Sequence, residues 1–210
     1  LVSVNSILDT LLTQYKDRKN HHTFIVGVDG LGGAGKTTFA NKLGEELKEK
    51  GYHVITIHID DYIVELNKRY NTGHEEWYEY YSLQWDIQLL QTELFQALSD
   101  GDKLINLPLY DKTTDTISTQ KRYIKPTSII LIEGIFIQRR EWREYFDFVI
   151  FIDCPHKERA DRVLKRDLYI GDYQNRLTKY QKRYWIAEDK YIEVDDPLKK
   201  ADVIYSSNDH

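Results

Sequence analysis

The sequence predicts an α/β fold in which a central, mostly parallel sheet lies between layers of helix. Three observations carry this. Short apolar runs recur at Thr23–Asp29 (TFIVGVD), His53–Ile59 (HVITIHI), Ser128–Ile132 (SIILI) and Phe146–Asp153 (FDFVIFID). Segments with helical spacing separate them, as crossover connections between parallel strands require. The first three runs give way to glycine or acid: Gly30, then Asp60-Asp61, then Glu133-Gly134. In sheets of this kind functional residues gather beyond the carboxyl ends of the strands.

Taken in order, Leu1 to about Arg18 reads as an amphipathic helix with Ile7, Leu8, Leu11, Leu12 and Tyr15 on one side. After the first strand, Phe39–Lys50 has helical spacing and Gly51 supplies its stop. Tyr62–Trp85 is polar and aromatic, and reads as connecting segments over a cleft rather than core. Ile87–Leu98 returns to helical spacing. Lys103–Lys125 alternates around Pro108 and Thr-rich turns, which predicts a β-hairpin insertion. The continuous run Ser128–Ile132 suits a central strand covered on both faces. Pro155–Leu168 is a basic helix, a tyrosine-rich helix follows, and Asp202–Tyr205 is a last short strand. One domain is expected over 1–210, with an N-terminal helix at 1–20, the hairpin at 103–125 and a lid region at 155–185.

Composition narrows the function classes. A chain of 210 residues can bury one sizeable core. Its net charge of -5 argues against a nucleic-acid partner, which usually needs a basic face. No apolar stretch reaches the length of a bilayer span, so no membrane partner is expected. The single cysteine, Cys154, excludes an internal disulfide and fits a cytoplasmic location. The pattern of Leu1–Arg18 is unlike a signal peptide, and the absence of Met suggests a trimmed start.

The first strand runs directly into Gly30-Leu31-Gly32-Gly33-Ala34-Gly35-Lys36-Thr37, an unbroken G-x-x-x-x-G-K-[ST]. Glycines let backbone N–H groups close around phosphate oxygens, and the following helix directs its positive end at the same anion. Gly30, Gly32, Gly33, Ala34, Gly35, Lys36, Thr37 and Thr38 are the expected nucleotide-binding residues. Lys36 reaches the β- and γ-phosphates, and the Thr37 hydroxyl coordinates Mg²⁺. The loop alone does not separate a kinase from an ATPase or GTPase.

The acids at the strand ends favour a kinase. Transfer to an alcohol needs a carboxylate that orients the hydroxyl and takes its proton. Asp60 is the first choice for that base. Asp61 is the second choice, or a Mg²⁺ partner, and either residue can instead cap a helix beginning near Tyr62. Glu133 follows four apolar residues, where an acid is costly unless paired or near a metal, and it is assigned to Mg²⁺. Gly134 beside it permits close approach of nucleotide or acceptor. Within HKERADRVLKRD, the spacings of Arg159, Arg162 and Arg166 put three guanidinium groups on one helix face. Planar Arg groups suit the equatorial oxygens of a transferring phosphoryl group, so Arg162 and Arg166 are assigned to catalysis on a lid. Arg176 and Arg183 are further candidates to close over the phosphates.

In order along the chain, these segments resemble the uridine kinase and phosphoribulokinase family of P-loop kinases, from about Ile25 to Tyr205. GVDGLGGAGKTT is similar to its phosphate loop and Ile59–Tyr62 (IDDY) to its acidic motif after the second strand. Gln84–Asp86 (QWD) resembles the segment whose Asp contacts ribose hydroxyls. Pro108–Asp111 (PLYD) resembles the P-x-Y-D of the acceptor hairpin, and Ile132–Gly134 (IEG) the metal-side acid. FDFVIFIDCP with RADRVLKRD is similar to the fourth strand and lid helix, and KKADVIY to the final strand. The chain departs from the pattern where uridine kinases follow P-x-Y-D with an aromatic residue, a His and an Arg: here Lys112 to Ile117 reads KTTDTI. Tyr169-Ile170-Gly171-Asp172 stands where the lid usually reads R-G-R-D.

The resemblance implies a three-layer P-loop NTPase fold of the nucleoside-kinase kind, ATP and Mg²⁺ as cofactors, and Asp86 and Tyr110 as acceptor-holding residues. Among the aromatics Trp77, Tyr78, Tyr80, Tyr81 and Trp85, stacking on a ring of the acceptor falls first to Trp85, next to Asp86; packing of an exposed helix is the other reading. The expected activity is ATP-dependent phosphorylation of a hydroxyl on a small metabolite, a nucleoside first, with pantothenate or a sugar phosphate next. A nucleotide-hydrolysing switch is the rival of another class, and the absence of N-K-x-D argues against a GTPase. Oligomeric state is left open, a homo-oligomer included.

Overall fold

A computed structural model describes residues 3–18 and 23–206. Leu1, with which the first expected helix began, lies outside them. Helix α1 (Val4–Asp17) starts where the Ser3 side chain accepts a hydrogen bond from the Ser6 N–H, and it buries Ile7, Leu8, Leu11 and Leu12. Strand β1 (Phe24–Gly30) is buried throughout and leads through the glycine loop into α2 (Lys36–Glu49). Strand β2 (Val54–His58) follows.

Between β2 and the hairpin the chain is more ordered, and more central, than its polarity suggested. It forms α3 (Leu66–Arg69) and α4 (Glu76–Leu83). Helix α5 (Ile87–Leu90) then runs through a π-helical stretch at Gln91–Gln96 into α6 (Ala97–Ser99). Tyr62 and Trp85 are core residues here. Each tucks its ring inside and sends its polar tip to a partner, Tyr62 Oη to Gln120 Oε1 and Trp85 Nε1 to the Ile59 carbonyl, both at 2.9 Å.

Strands β3 (Leu104–Asp111) and β4 (Thr116–Tyr123) form a separate antiparallel hairpin. Strands β5 (Ile129–Glu133) and β6 (Phe148–Asp153) return to the main sheet. Helices α7 (His156–Arg166), α8 (Tyr173–Lys179), α9 (Trp185–Asp195) and α10 (Pro197–Lys200) precede the closing strand β7 (Val203–Ser206). A second π-helical stretch, Tyr180–Tyr184, joins α8 to α9.

The five-stranded sheet runs β2-β5-β1-β6-β7, and every pairing in it is parallel. Alternation along its strands sorts side chains between two cores. Phe24, Val26 and Val28 join Ile129 and Leu131 under α1 and α2, while Ile25, Ile130 and Ile132 face a larger cluster with Trp85, Phe95, Trp142 and Tyr191. Helices thus cover both faces, as continuous apolar strands demand. The register aligns Val28 and His58 with Glu133, so the ends of β1, β2 and β5 share one edge of the sheet. No helix among the described residues is long and apolar enough to cross a membrane.

Candidate active site

A cleft of about 1120 Å³ opens at that edge. Its floor is the glycine loop with the start of α2, and Gly32, Gly33, Gly35, Lys36, Thr37 and Thr38 line it. Gly30 and Ala34 do not. Gly30 is the buried end of β1, and Ala34 is 2% exposed with its N–H turned inward to the Leu31 carbonyl at 3.1 Å. Their part is to shape the loop. Gly33 is constrained from behind: its φ is +80°, and a Cβ there would sit 2.8 Å from the Arg159 carbonyl. Lys36 Nζ rests on the Leu31 carbonyl at 3.1 Å.

The loop is held from outside by a buried ion pair. Glu188 on α9 accepts the Gly32 N–H at 2.8 Å with one oxygen and Arg159 Nη1 at 2.7 Å with the other. Arg159 also donates to the Gly32 and Cys154 carbonyls at 3.2 and 3.1 Å. Burial raises the Glu188 carboxyl above its ordinary value, and Arg159 chiefly opposes that rise. Nothing in the sequence marked Glu188, which lies 156 residues from its partner Gly32. The single-face reading of the α7 arginines is corrected accordingly: Arg159 turns inward as a brace, because its guanidinium is matched there by a carboxylate and two carbonyls. Replacing Arg159 with Met leaves the Glu188 charge buried and unpaired, with an expected stability loss of about 3–5 kcal/mol in urea unfolding.

Arg162 and Arg166 line the cleft. Arg162 Nη1 contacts the Gly33 carbonyl at 3.2 Å, and Arg166 is fixed by Asp167 at 2.6 Å. The two further arginines lie elsewhere. Arg183 is fully buried, bonded to Glu79 at 2.9 Å and to the Arg69 carbonyl at 3.0 Å, so it ties α4 to the helices after α8. Arg176 folds back onto the Gly171 carbonyl and does not line the cleft.

The acids divide. Asp60 lines the cleft and keeps solvent contact on that side. Packed protein behind it raises its carboxyl above the ordinary Asp range; Lys36 and Arg166 pull it down, and Glu133 and Asp61 add to the rise. Asp61 is exposed and does not line the cleft, because the two acids lie in one 3₁₀ turn, Ile59–Tyr62, that turns their side chains apart. Its proposed share in a metal site is therefore withdrawn. Glu133 is 6% exposed and accepts Thr37 Oγ1 at 2.9 Å and His58 Nδ1 at 2.7 Å. Among the described residues no cluster of three His, Cys, Asp or Glu forms a closed metal cage. A hydroxyl and one carboxylate are hard oxygen donors, and they suit Mg²⁺, which takes one or two protein ligands and completes its shell with phosphate and water. Gly134 faces protein rather than ligand: a Cβ there would meet Ile59 Cγ2 at 2.1 Å, so it is the contact that lets β5 lie against the turn carrying Asp60.

On the remaining side the cleft is lined by Ile63, Arg69, Tyr70, Tyr80, Gln84 and Tyr110. Tyr110 donates to Asp115 at 2.9 Å and accepts from Arg69 at 3.3 Å. Two expected neighbours are absent from this wall. Trp85 is 3% exposed and packs in the core, where its ring meets Phe136 and Trp142 rather than a ligand. Asp86 is exposed and accepts the Leu89 N–H at 3.0 Å, which makes it the cap of α5. Sequence reasoning passed over Arg69, Tyr180 and Tyr184, since none belongs to a motif, and read Gln84 only as the first residue of QWD. His58 stands two residues before Asp60, but a lone His in a strand is no signal.

Comparison with known proteins places the chain in a family and bears out its fold. The phosphoribulokinase/uridine kinase family model matches residues 25–207. A uridine kinase of Cronobacter sakazakii is 30% identical over 197 residues, covering 89% of this chain and 88% of that one. A structure described as a possible uridine kinase from Bacillus stearothermophilus is 40% identical, covers 96% of this chain and 98% of its own, and superposes with a TM-score of 0.78. D-glycerate 3-kinase from Cryptococcus neoformans shares the fold at 14% identity, a TM-score of 0.62 and 87% coverage of both chains.

Proposed function

The chain belongs to the phosphoribulokinase/uridine kinase family, and on that premise we propose that it transfers the terminal phosphoryl group of ATP to a hydroxyl of a nucleoside or similar ribose-bearing metabolite. The observation that carries this reading is Asp60, set in one cleft with Lys36 and the loop amides. A carboxylate facing the phosphate loop suits a reaction in which an alcohol must lose its proton as it attacks.

In this reading the loop N–H groups and Lys36 would hold the nucleotide phosphates, and Thr37 and Glu133 would hold Mg²⁺, which when bound would neutralise phosphate charge. Asp60 accepts the acceptor's proton. Its raised affinity for protons is an asset, since a base closer to neutrality accepts a proton more readily. Arg162 and Arg166 stand over the loop from α7, where guanidinium groups stabilise charge on the transferring oxygens and help to exclude water, the competing acceptor. Tyr110 lies against the acceptor side.

The test is Mg²⁺-ATP turnover against uridine, cytidine, pantothenate and sugar phosphates. Acceptor-dependent ADP release with a nucleoside is the expected result. Slow hydrolysis indifferent to every acceptor would transfer the chain to the nucleotide-switch class.

A further inference from the structure

Asp29 immediately precedes the first glycine of the phosphate loop, and no step of the chemistry above uses it. It is fully buried in a strand whose other residues are apolar or glycine, a costly place for an acid. Its donors are all uncharged. One carboxylate oxygen accepts the Gly30 N–H at 2.8 Å; the other accepts Tyr191 Oη at 2.6 Å and Gln138 Nε2 at 2.9 Å. The Gln138 N–H in turn donates to Tyr191 Oη at 3.0 Å, so the three residues close a ring in which each bonds the other two. Tyr191 and Gln138 are fully buried as well. Burial raises the Asp29 carboxyl above the ordinary Asp range, and the three donors, with Lys36, oppose that rise. An apolar residue would meet the demands of the sheet alone, so the acid answers to the loop.

Tyr191 belongs to α9, three residues beyond Glu188, and the two side chains leave one face of that helix. Glu188 takes the Gly32 N–H, while Tyr191 reaches the Gly30 N–H through Asp29. The two pins stand on either side of Leu31. The Leu31 carbonyl and the Gly32 N–H share one planar peptide unit and point in opposite directions. Fixing that N–H therefore directs the carbonyl to its two donors, Lys36 Nζ and the Ala34 N–H, both at 3.1 Å.

We infer that Asp29 is a positioning residue for the phosphate loop: with Tyr191 it fixes the Gly30 peptide, gives α9 a second hold on the loop, and so sets nucleotide affinity without lining the cleft. The inference rests on the nucleotide-binding part of the function proposed above and not on the choice of acceptor.

Calorimetric titration with ADP and Mg²⁺ tests it, comparing Tyr191→Phe, Tyr81→Phe, Asp29→Ala and Asp29→Asn with the wild type. Tyr191→Phe keeps the ring against Phe136 and removes the donor to Asp29; the ADP Kd is expected to rise about tenfold. Tyr81→Phe is the control. The Tyr81 hydroxyl bonds Asp195 on the same helix, its ring also packs on Phe136, and it does not line the cleft. That variant is expected to lower Tm as Tyr191→Phe does, with the ADP Kd within about twofold of wild type. Asp29→Ala weakens ADP binding at least as much as Tyr191→Phe. Asp29→Asn, whose amide oxygen still accepts the Gly30 N–H, restores most of that loss. Should Asp29→Ala fail to fold, the two tyrosine variants carry the test. With ADP bound by the wild type, an unchanged Kd in Tyr191→Phe, or equal rises in Tyr191→Phe and Tyr81→Phe, overturns the inference alone. A wild type that binds no ADP overturns this inference and the function proposed above.

Discussion

Replacing Asp60 with Asn is expected to lower kcat by about 10²–10⁴ while leaving the ATP KM nearly unchanged. The amide keeps the size of the carboxylate but cannot take the hydroxyl proton. Single-turnover measurement with saturating acceptor isolates the chemical step. The wild-type pH profile provides an independent check with a definite sign. Asp60 works deprotonated, and the protein packed behind it raises its proton affinity. Activity is therefore present above that raised value and lost as pH falls through it, and the acid limb lies above the ordinary Asp range. In Asp60→Asn that limb is absent.

The second large effect is that of Lys36→Met, expected to cost about 10²–10³ in kcat, with a rise in the ATP KM. Its ammonium is the cation nearest the loop, resting on the Leu31 carbonyl. Lys36 also pulls the Asp60 carboxyl down, first among the charges that act on it. Its removal should move the residual acid limb to higher pH, toward the unopposed effect of burial. A kcat loss with the limb unmoved would mean that Lys36 and Asp60 act separately.

The strands were legible because a sheet covered on both faces demands unbroken apolar runs, and IILIE and FVIFID leave little else to be. The loop was legible because phosphate binding by backbone requires glycine at fixed spacing. Asp60 and Glu133 followed from the strand ends. The far wall of the cleft was not legible, for a physical reason: it is assembled from α3, α4, the hairpin and the π-helical stretch before α9, each contributing only one to three side chains. Glu188 has no local signature, since what matters in it is a partner far along the chain. Asp86 and Trp85 misled for the opposite reason. An Asp before a helix and a Trp beside a cleft each have a structural use as ready as the functional one, and here capping and core packing took them. The polar look of Tyr62–Trp85 hid rings that bury their bodies and bond their tips.

The bond between Gly32 and Glu188 has a consequence for biosynthesis. The phosphate loop leaves the ribosome before the carboxylate that fixes it, which is 156 residues later in the chain. At roughly 5–20 residues per second that is a delay of about 8–30 s. During this interval the loop has its glycines but not its anchor. The loop thus takes its fixed form only after α9 has been made and has docked against it.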